Sequence, residues 1–206
     1  MPGVEKLLST LARTHDSGKT PVHLALATSS HSRTYAMKTE RLADLFSVFP
    51  DPQRVLGDDP RIGKGRGKPL PDIYLLALET VNAGLRVRGE DEVKPEECLV
   101  FEDAVPGVEA GRRAGMRVVW CPHPGLLEAY KGREEEVLAG LTGEHKEEEK
   151  SGTEKEADEL KKERLSVGGN EPESASSGKL GETGDGWAEL VKTLEDFDYA
   201  RYGIQV

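Results

Sequence analysis

Apolar positions in the first 125 residues switch repeatedly between a helical and a strand-like period. VEKLLSTLA places Val4, Leu7, Leu8 and Leu11 at helical spacing, with Pro2 just ahead as a helix-entry residue. VHLALAT (22–28) is short, apolar and followed by Ser-Ser, which predicts a buried strand. RTYAMKTERLADLF (33–46) predicts a helix, RVLG (54–57) a short strand, and PDIYLLALETVNAG (71–84) a helix ending at Gly84. Then CLVFE (98–102) reads as a strand, GVEAGRRAG (107–115) as a helix and RVVWC (117–121) as a strand. Strands alternating with helices of this length imply right-handed crossovers, so the expected fold is α/β, a doubly wound and mostly parallel Rossmann-like sheet covered on both faces.

Beyond Pro124 the pattern changes. Residues 133–185 carry 16 acidic against 8 basic side chains, so most of the net charge of −10 sits there. The segment is rich in Glu, Lys, Gly and Ser, and too poor in apolar side chains to offset the entropy of ordering. Three regions are expected: an α/β core over 1–130, a largely disordered acidic low-complexity insertion over 131–185, and a C-terminal helix and tail over 186–206 that packs back on the core through Trp187, Leu190, Val191 and Leu194. Within the insertion, EKEADELKKERL has the charge pairing of a transient helix.

The acidic balance argues against nucleic acid and anionic membranes as partners, since both reward clustered Lys and Arg. With no apolar run near bilayer length and no basic-then-apolar leader, a cytoplasmic location is expected, with the nucleus as the alternative. Cys98 and Cys121 lack metal-ligand spacing and read as free thiols.

Candidate chemistry lies where strands end, because open parallel sheets bind ligands outside the carboxyl ends of their strands. After the first strand comes Thr28-Ser29-Ser30, a hydroxyl followed by backbone amides that could seat a phosphate oxygen; the alternative is that Thr28 or Ser29 caps the helix beginning near Ser32. After the second comes Lys68 in GKGRGKPLPDIY, where Pro69 and Pro71 fix the approach to the next helix, whereas Lys64 and Arg66 read as solvated. After the third, Glu102 and Asp103 would repel each other unless donors or a hard cation such as Mg²⁺ neutralise them; alternatively, Asp103 caps the next helix and Glu102 faces solvent. Together these ends describe a phosphate-plus-metal site.

The stretches LALATSS, GKPLPDIYLLAL and CLVFEDAVPGVEAGRRAGM resemble the second, third and fourth motifs of the haloacid dehalogenase (HAD) superfamily of Mg²⁺-dependent phosphatases. MPGVEKLLSTL, MKTERLADLFSVF, VLGDDP and LEDFDYARYGI bring the resemblance closer to the pseudouridine-5′-phosphatase branch, over about residues 2–125 and 187–204. The resemblance implies that Thr28, with the Ser29 amide, binds the transferring phosphoryl group and that Lys68 neutralises its charge. It implies further that Asp103 holds Mg²⁺ with Glu102 in support, that Gly107 keeps the loop close, and that the substrate is a small phosphorylated metabolite.

The family's chemistry begins with an Asp nucleophile in a D-x-D-G-T motif at the end of a central first strand. No such motif occurs here; Asp196-Phe197-Asp198 has the spacing without a preceding strand or a following Gly-Thr. The resemblance therefore implies an incomplete core, inactive alone, in which either the flanking strands pair directly or a gap exposes apolar surface. An N-terminal part or a partner chain would then complete the sheet. A non-catalytic binding or regulatory protein is the competing expectation. A receiver-like signalling domain fits less well, because LALATSS and RVLG lack its acidic residues.

Overall fold

The computed structural model describes residues 1–16, 21–142 and 180–206. Helix α1 (Val4–Ala12) leads to strand β1 (Leu26–Ala27), then α2 (Ser32–Thr39), α3 (Ala43–Phe46), β2 (Arg54–Val55) and the long α4 (Asp72–Arg88). Strand β3 (Leu99–Glu102), α5 (Val105–Arg113), β4 (Arg117–Trp120), α6 (Pro124–Ala129) and α7 (Glu134–Ala139) follow, and β5 (Ala188–Leu190) ends the series. Every strand pair is parallel, as the alternation of strands and helices requires.

The strands form two sheets, β1-β2 and β3-β4-β5, and β1 and β3 are not hydrogen-bonded to each other. Of the two outcomes expected for an incomplete core, this is the gap. Its mark is the contrast in burial. Val118, Val119 and Trp120 of β4, paired on both sides, are at most 1% exposed, whereas Leu26 and Ala27 of β1 and Leu99 and Phe101 of β3 are only half-buried. Among the described strands β1 pairs only with β2 and β3 only with β4, so each has one edge without a partner strand.

Period-two alternation sends side chains to two cores. Val118 and Trp120 pack with Val100, Ile73, Tyr74, Val105 and Val108 under α4 and α5, while Val119 and Cys121 pack with Leu7 and Leu11 of α1 and with Leu194. Leu7 and Leu11, each at most 3% exposed, anchor α1 with about 1.5–3 kcal/mol of burial apiece. Phe101, Phe197, Tyr199 and Tyr202 extend this second core as an aromatic cluster.

Three expectations are corrected. The C-terminal segment is not a helix: Ala188–Leu190 add a strand to β4, with the Val118 amide donating to the Trp187 carbonyl and the Val191 amide to that of Trp120. The spacing of Trp187, Leu190, Val191 and Leu194 suits a helix, but an unpaired edge of β4 outcompetes so short a periodic signal. Next, α4 runs through Gly84 and stops at Gly89, whose φ of 70° closes the helix in the left-handed conformation that glycine tolerates. Third, the region assigned to the insertion starts too early, because α7 buries Val137 and Ala139 against the domain. On the far side of that region, Gly181 donates to the Ala139 carbonyl at 2.8 Å, and Asp185 pairs with Arg112 of α5 at 2.7 Å. The rest of the acidic segment, 143–179, lies outside the described residues.

Arg112 is 1% exposed and Asp185 15%, so this is an ion pair inside the domain. Burial raises the Asp185 pKa, but the Arg112 guanidinium and the Trp187 amide outweigh it and hold the carboxyl below its ordinary range. Stability from this depressed pKa is fully present above the unfolded value of about 3.9 and is lost as pH falls through the folded one. Asp185→Ala, which removes one carboxylate partner of the buried Arg112 guanidinium, is expected to cost about 1–3 kcal/mol in urea denaturation at neutral pH. An unchanged midpoint would show that the pair does not hold β5 in place.

Candidate active site

The ends of β1 and β3 meet at Lys68, which lies in the loop before α4. At the end of β1 the Thr28 amide donates to the Val55 carbonyl at 3.0 Å, which fixes the residue beside β2. Thr28 Oγ1 accepts the Ser30 amide at 3.2 Å, folding Thr28-Ser29-Ser30 into a tight turn and leaving the hydroxyl proton to donate outward. Gly57 seals this turn from below: its amide donates to the Ser30 carbonyl, and a Cβ there would lie 2.3 Å from the Ser29 carbonyl oxygen. Neither Thr28 nor Ser29 caps α2. Asp58 does so, accepting the Ser32 amide at 2.9 Å together with the Ser32 hydroxyl, and these bonds hold its carboxyl below the ordinary range. The sequence reading missed this role of Asp58, because nothing in GDDP shows which helix lies beside it.

The pair at the end of β3 divides in the reverse of the capping alternative. Glu102 is buried and Asp103 is exposed. Glu102 Oε1 accepts hydrogen bonds from the Lys68 ammonium and the Tyr74 hydroxyl, and Oε2 accepts the amides of Asp103 at 3.2 Å and Ala104 at 3.3 Å. Lys68 also donates to the Ala27 carbonyl at 3.4 Å, so one ammonium touches the ends of β1 and β3, strands of different sheets. Its charge lies 4.8 Å from the centroid of the Tyr74 ring. Burial first, then the Glu102 charge, pushes the Tyr74 phenol well above its ordinary range, so it keeps its proton and donates. Tyr74 is a second residue the sequence reading missed, because on α4 it reads as part of an apolar helix face.

Asp103 is carried outward by the main chain, its carbonyl accepting Trp120 Nε1 at 3.2 Å. An exposed carboxylate at a strand mouth suits a hard cation, but no group of three or more His, Cys, Asp or Glu able to hold a metal occurs among the described residues. These residues alone do not complete a Mg²⁺ shell. Lys64 is exposed, and Arg66 pairs with Asp72. Asp196 and Asp198 lie exposed in the tail beyond β5, where Asp198 Oδ1 accepts the Arg201 amide at 3.2 Å in a turn rather than at a strand end. Cys98 is held as a protonated thiol rather than a nucleophilic thiolate, since burial, then Glu97 and Glu96, push it up to about 12. No described helix is long and apolar enough to cross a membrane.

Gly107 makes the Glu102 seat possible. A Cβ at this position would lie 2.1 Å from Glu102 Cδ and within 2.3 Å of both its oxygens. Gly107→Ala is expected to expel the carboxylate and cost about 1–3 kcal/mol in thermal or urea unfolding. A variant as stable as the parent would mean that Glu102 has a second seat of equal quality.

Comparison with known proteins identifies the lineage of this edge. A family profile described as a haloacid dehalogenase-like hydrolase matches residues 1–115, the span that holds Thr28, Lys68, Glu102 and Asp103. The chain is 44% identical over 119 residues to the probable pseudouridine-5′-phosphatase of Saccharomyces cerevisiae, covering 58% of this chain and 48% of that protein. It is 38% identical over 141 residues to the probable pseudouridine-5′-phosphatase of Drosophila melanogaster, covering 68% and 54%. To (DL)-glycerol-3-phosphatase 1 of Arabidopsis thaliana it is 38% identical over 141 residues, covering 68% and 42%. The chain thus spans about half the length of these curated relatives. Most of the chain follows one family profile, and the chain belongs to the haloacid dehalogenase-like hydrolases.

Proposed function

We propose that this chain is the greater part of the core of a cytoplasmic phosphate-monoester hydrolase acting on a small nucleotide- or sugar-phosphate, with pseudouridine 5′-phosphate the first candidate. The observation that carries the reading is the Lys68 ammonium, which touches the end of β1 next to the Thr28 turn and also Glu102, the neighbour of Asp103, at the end of β3. Phosphoryl transfer asks a protein mainly for positioning and for neutralisation of spread negative charge. In this reading Thr28 Oγ1 donates to one phosphoryl oxygen, aided by the Ser29 amide, and the Lys68 ammonium neutralises another. Asp103 is the residue that would hold Mg²⁺, with Glu102 beside it. When bound, the cation would screen the phosphate charge.

The nucleophile is proposed to arrive on a strand that docks between β1 and β3, supplied by a further part of the same protein or by a partner chain. The separation of the two sheets supports this, since β1 and β3 each lack a second partner strand and Lys68 touches the ends of both. An acid at the end of the docked strand would stand next to that ammonium. The kinship with proteins named as phosphatases supports the reaction class.

Hydrolysis of p-nitrophenyl phosphate and pseudouridine 5′-phosphate with Mg²⁺ tests the reading. The chain alone is expected to be inactive, and to gain turnover when an apolar peptide ending in Asp-x-Asp-Gly-Thr is added. Lys68→Ala should then lower turnover by roughly 10²–10³-fold, the usual loss of one charge-stabilising donor. Turnover by the chain alone that disappears in Asp103→Ala would instead mean that one of its own carboxylates serves as nucleophile. No turnover with the strand supplied would favour a non-catalytic binding protein.

A further inference from the structure

The bonding of Glu102 separates the two adjacent acids into different jobs. A carboxylate offers about four acceptor positions, and Glu102 meets four donors: the Lys68 ammonium, the Tyr74 hydroxyl and the amides of Asp103 and Ala104. Gly107 packs so closely against the carboxylate that no methyl group fits between them. Lys68 and Glu102 are 11% and 7% exposed at the side chain, so neither is rinsed freely by water. Asp103, next in sequence, is exposed.

We infer that Glu102 is the fixed counterion of Lys68 rather than a metal ligand, and that Tyr74 is the positioning residue that holds the pair in place. To reach a metal, Glu102 would have to abandon a buried phenol, a buried ammonium and two amides at once. Tyr74 acts from two sides, donating its hydroxyl to Oε1 and presenting its ring face to the Lys68 ammonium at 4.8 Å. The ammonium is thereby held against the Ala27 carbonyl, one residue from the Thr28 turn, instead of sampling the surface as long lysine side chains do. Any cation at the mouth then relies on Asp103 and not on Glu102. The importance of this pairing for phosphoryl transfer rests on the reading proposed above, whereas the pairing itself does not.

The test is the acetylation rate of Lys68 in the full chain, measured peptide by peptide by mass spectrometry after brief exposure to an N-hydroxysuccinimide ester. The exposed Lys64 and Lys94 serve as internal references, and circular dichroism checks that each variant is folded. Lys68 should react slowly in the parent. In Tyr74→Phe it should react about tenfold faster relative to the references, the factor that follows from losing one hydrogen bond to a charged group, and in Glu102→Gln faster still. Asp103→Asn should match the parent, and excess Mg²⁺ should leave the parent rate unchanged. If circular dichroism shows that Glu102→Gln unfolds, Tyr74→Phe decides.

Parental rates in both Tyr74→Phe and Glu102→Gln would overturn the pairing. Acceleration by Mg²⁺, or by Asp103→Asn as much as by Glu102→Gln, would overturn the division of labour. Should Lys68 follow the expected pattern while the complemented chain shows no phosphatase turnover, the pairing would stand and the functional reading would fall.

Discussion

The ion pair between Lys68 and Glu102 is the tie on which the active edge depends. Lys68 enters from the loop before α4 and touches the last residue of β1, while Glu102 ends β3 and sits in the other sheet. Removing a charge pair from water is costly unless the remaining donors and acceptors are satisfied. Here they are: two amides and a phenol complete the carboxylate, and a backbone carbonyl and an aromatic face complete the ammonium. Several features read as consequences of this one requirement, including the glycine at 107, the phenol at 74 and the outward turn of Asp103.

The same tie clarifies what the separation of the two sheets means. β4 is a finished strand, paired on both sides and sealed by helices on both faces, whereas β1 and β3 each keep a free edge. Side-chain packing links them: Leu24 and Phe101 join the core beneath α1, and Ala27 and Val100 join the core beneath α4 and α5. The two sheets are therefore joined by shared cores and by Lys68 rather than by a common hydrogen-bond ladder.

Much of this was legible in the residues. Strands β3 and β4 and helix α1 follow from short apolar runs and from the spacing of Leu7 and Leu11, because burial on both faces or on one stripe leaves that trace. Thr28 and Asp103 were legible as strand-end residues, and Lys68 as a lysine in the loop before the next helix. The opposite fates of Glu102 and Asp103 were also written in the period of two, since Glu102 shares a strand face with buried Val100. By contrast, Tyr74 bonding to Glu102, Asp58 capping α2 and Asp185 pairing with Arg112 join elements far apart in the chain, and local pattern carries no record of such meetings. The C-terminal strand was misread because Trp187, Leu190, Val191 and Leu194 fit a helix, while the partner that makes them a strand lies elsewhere.

The clamp between Arg112 and Asp185 joins residues 73 positions apart. Closing so long a loop carries an entropic cost that only the completed contact repays, although that cost grows slowly with length. Helix α5 and strands β3 and β4 can assemble from neighbours in sequence, so β5 is the element whose docking waits. Changes in the length of the acidic segment would then register mainly in the speed with which the last strand finds its edge, and only faintly in the architecture it finally joins.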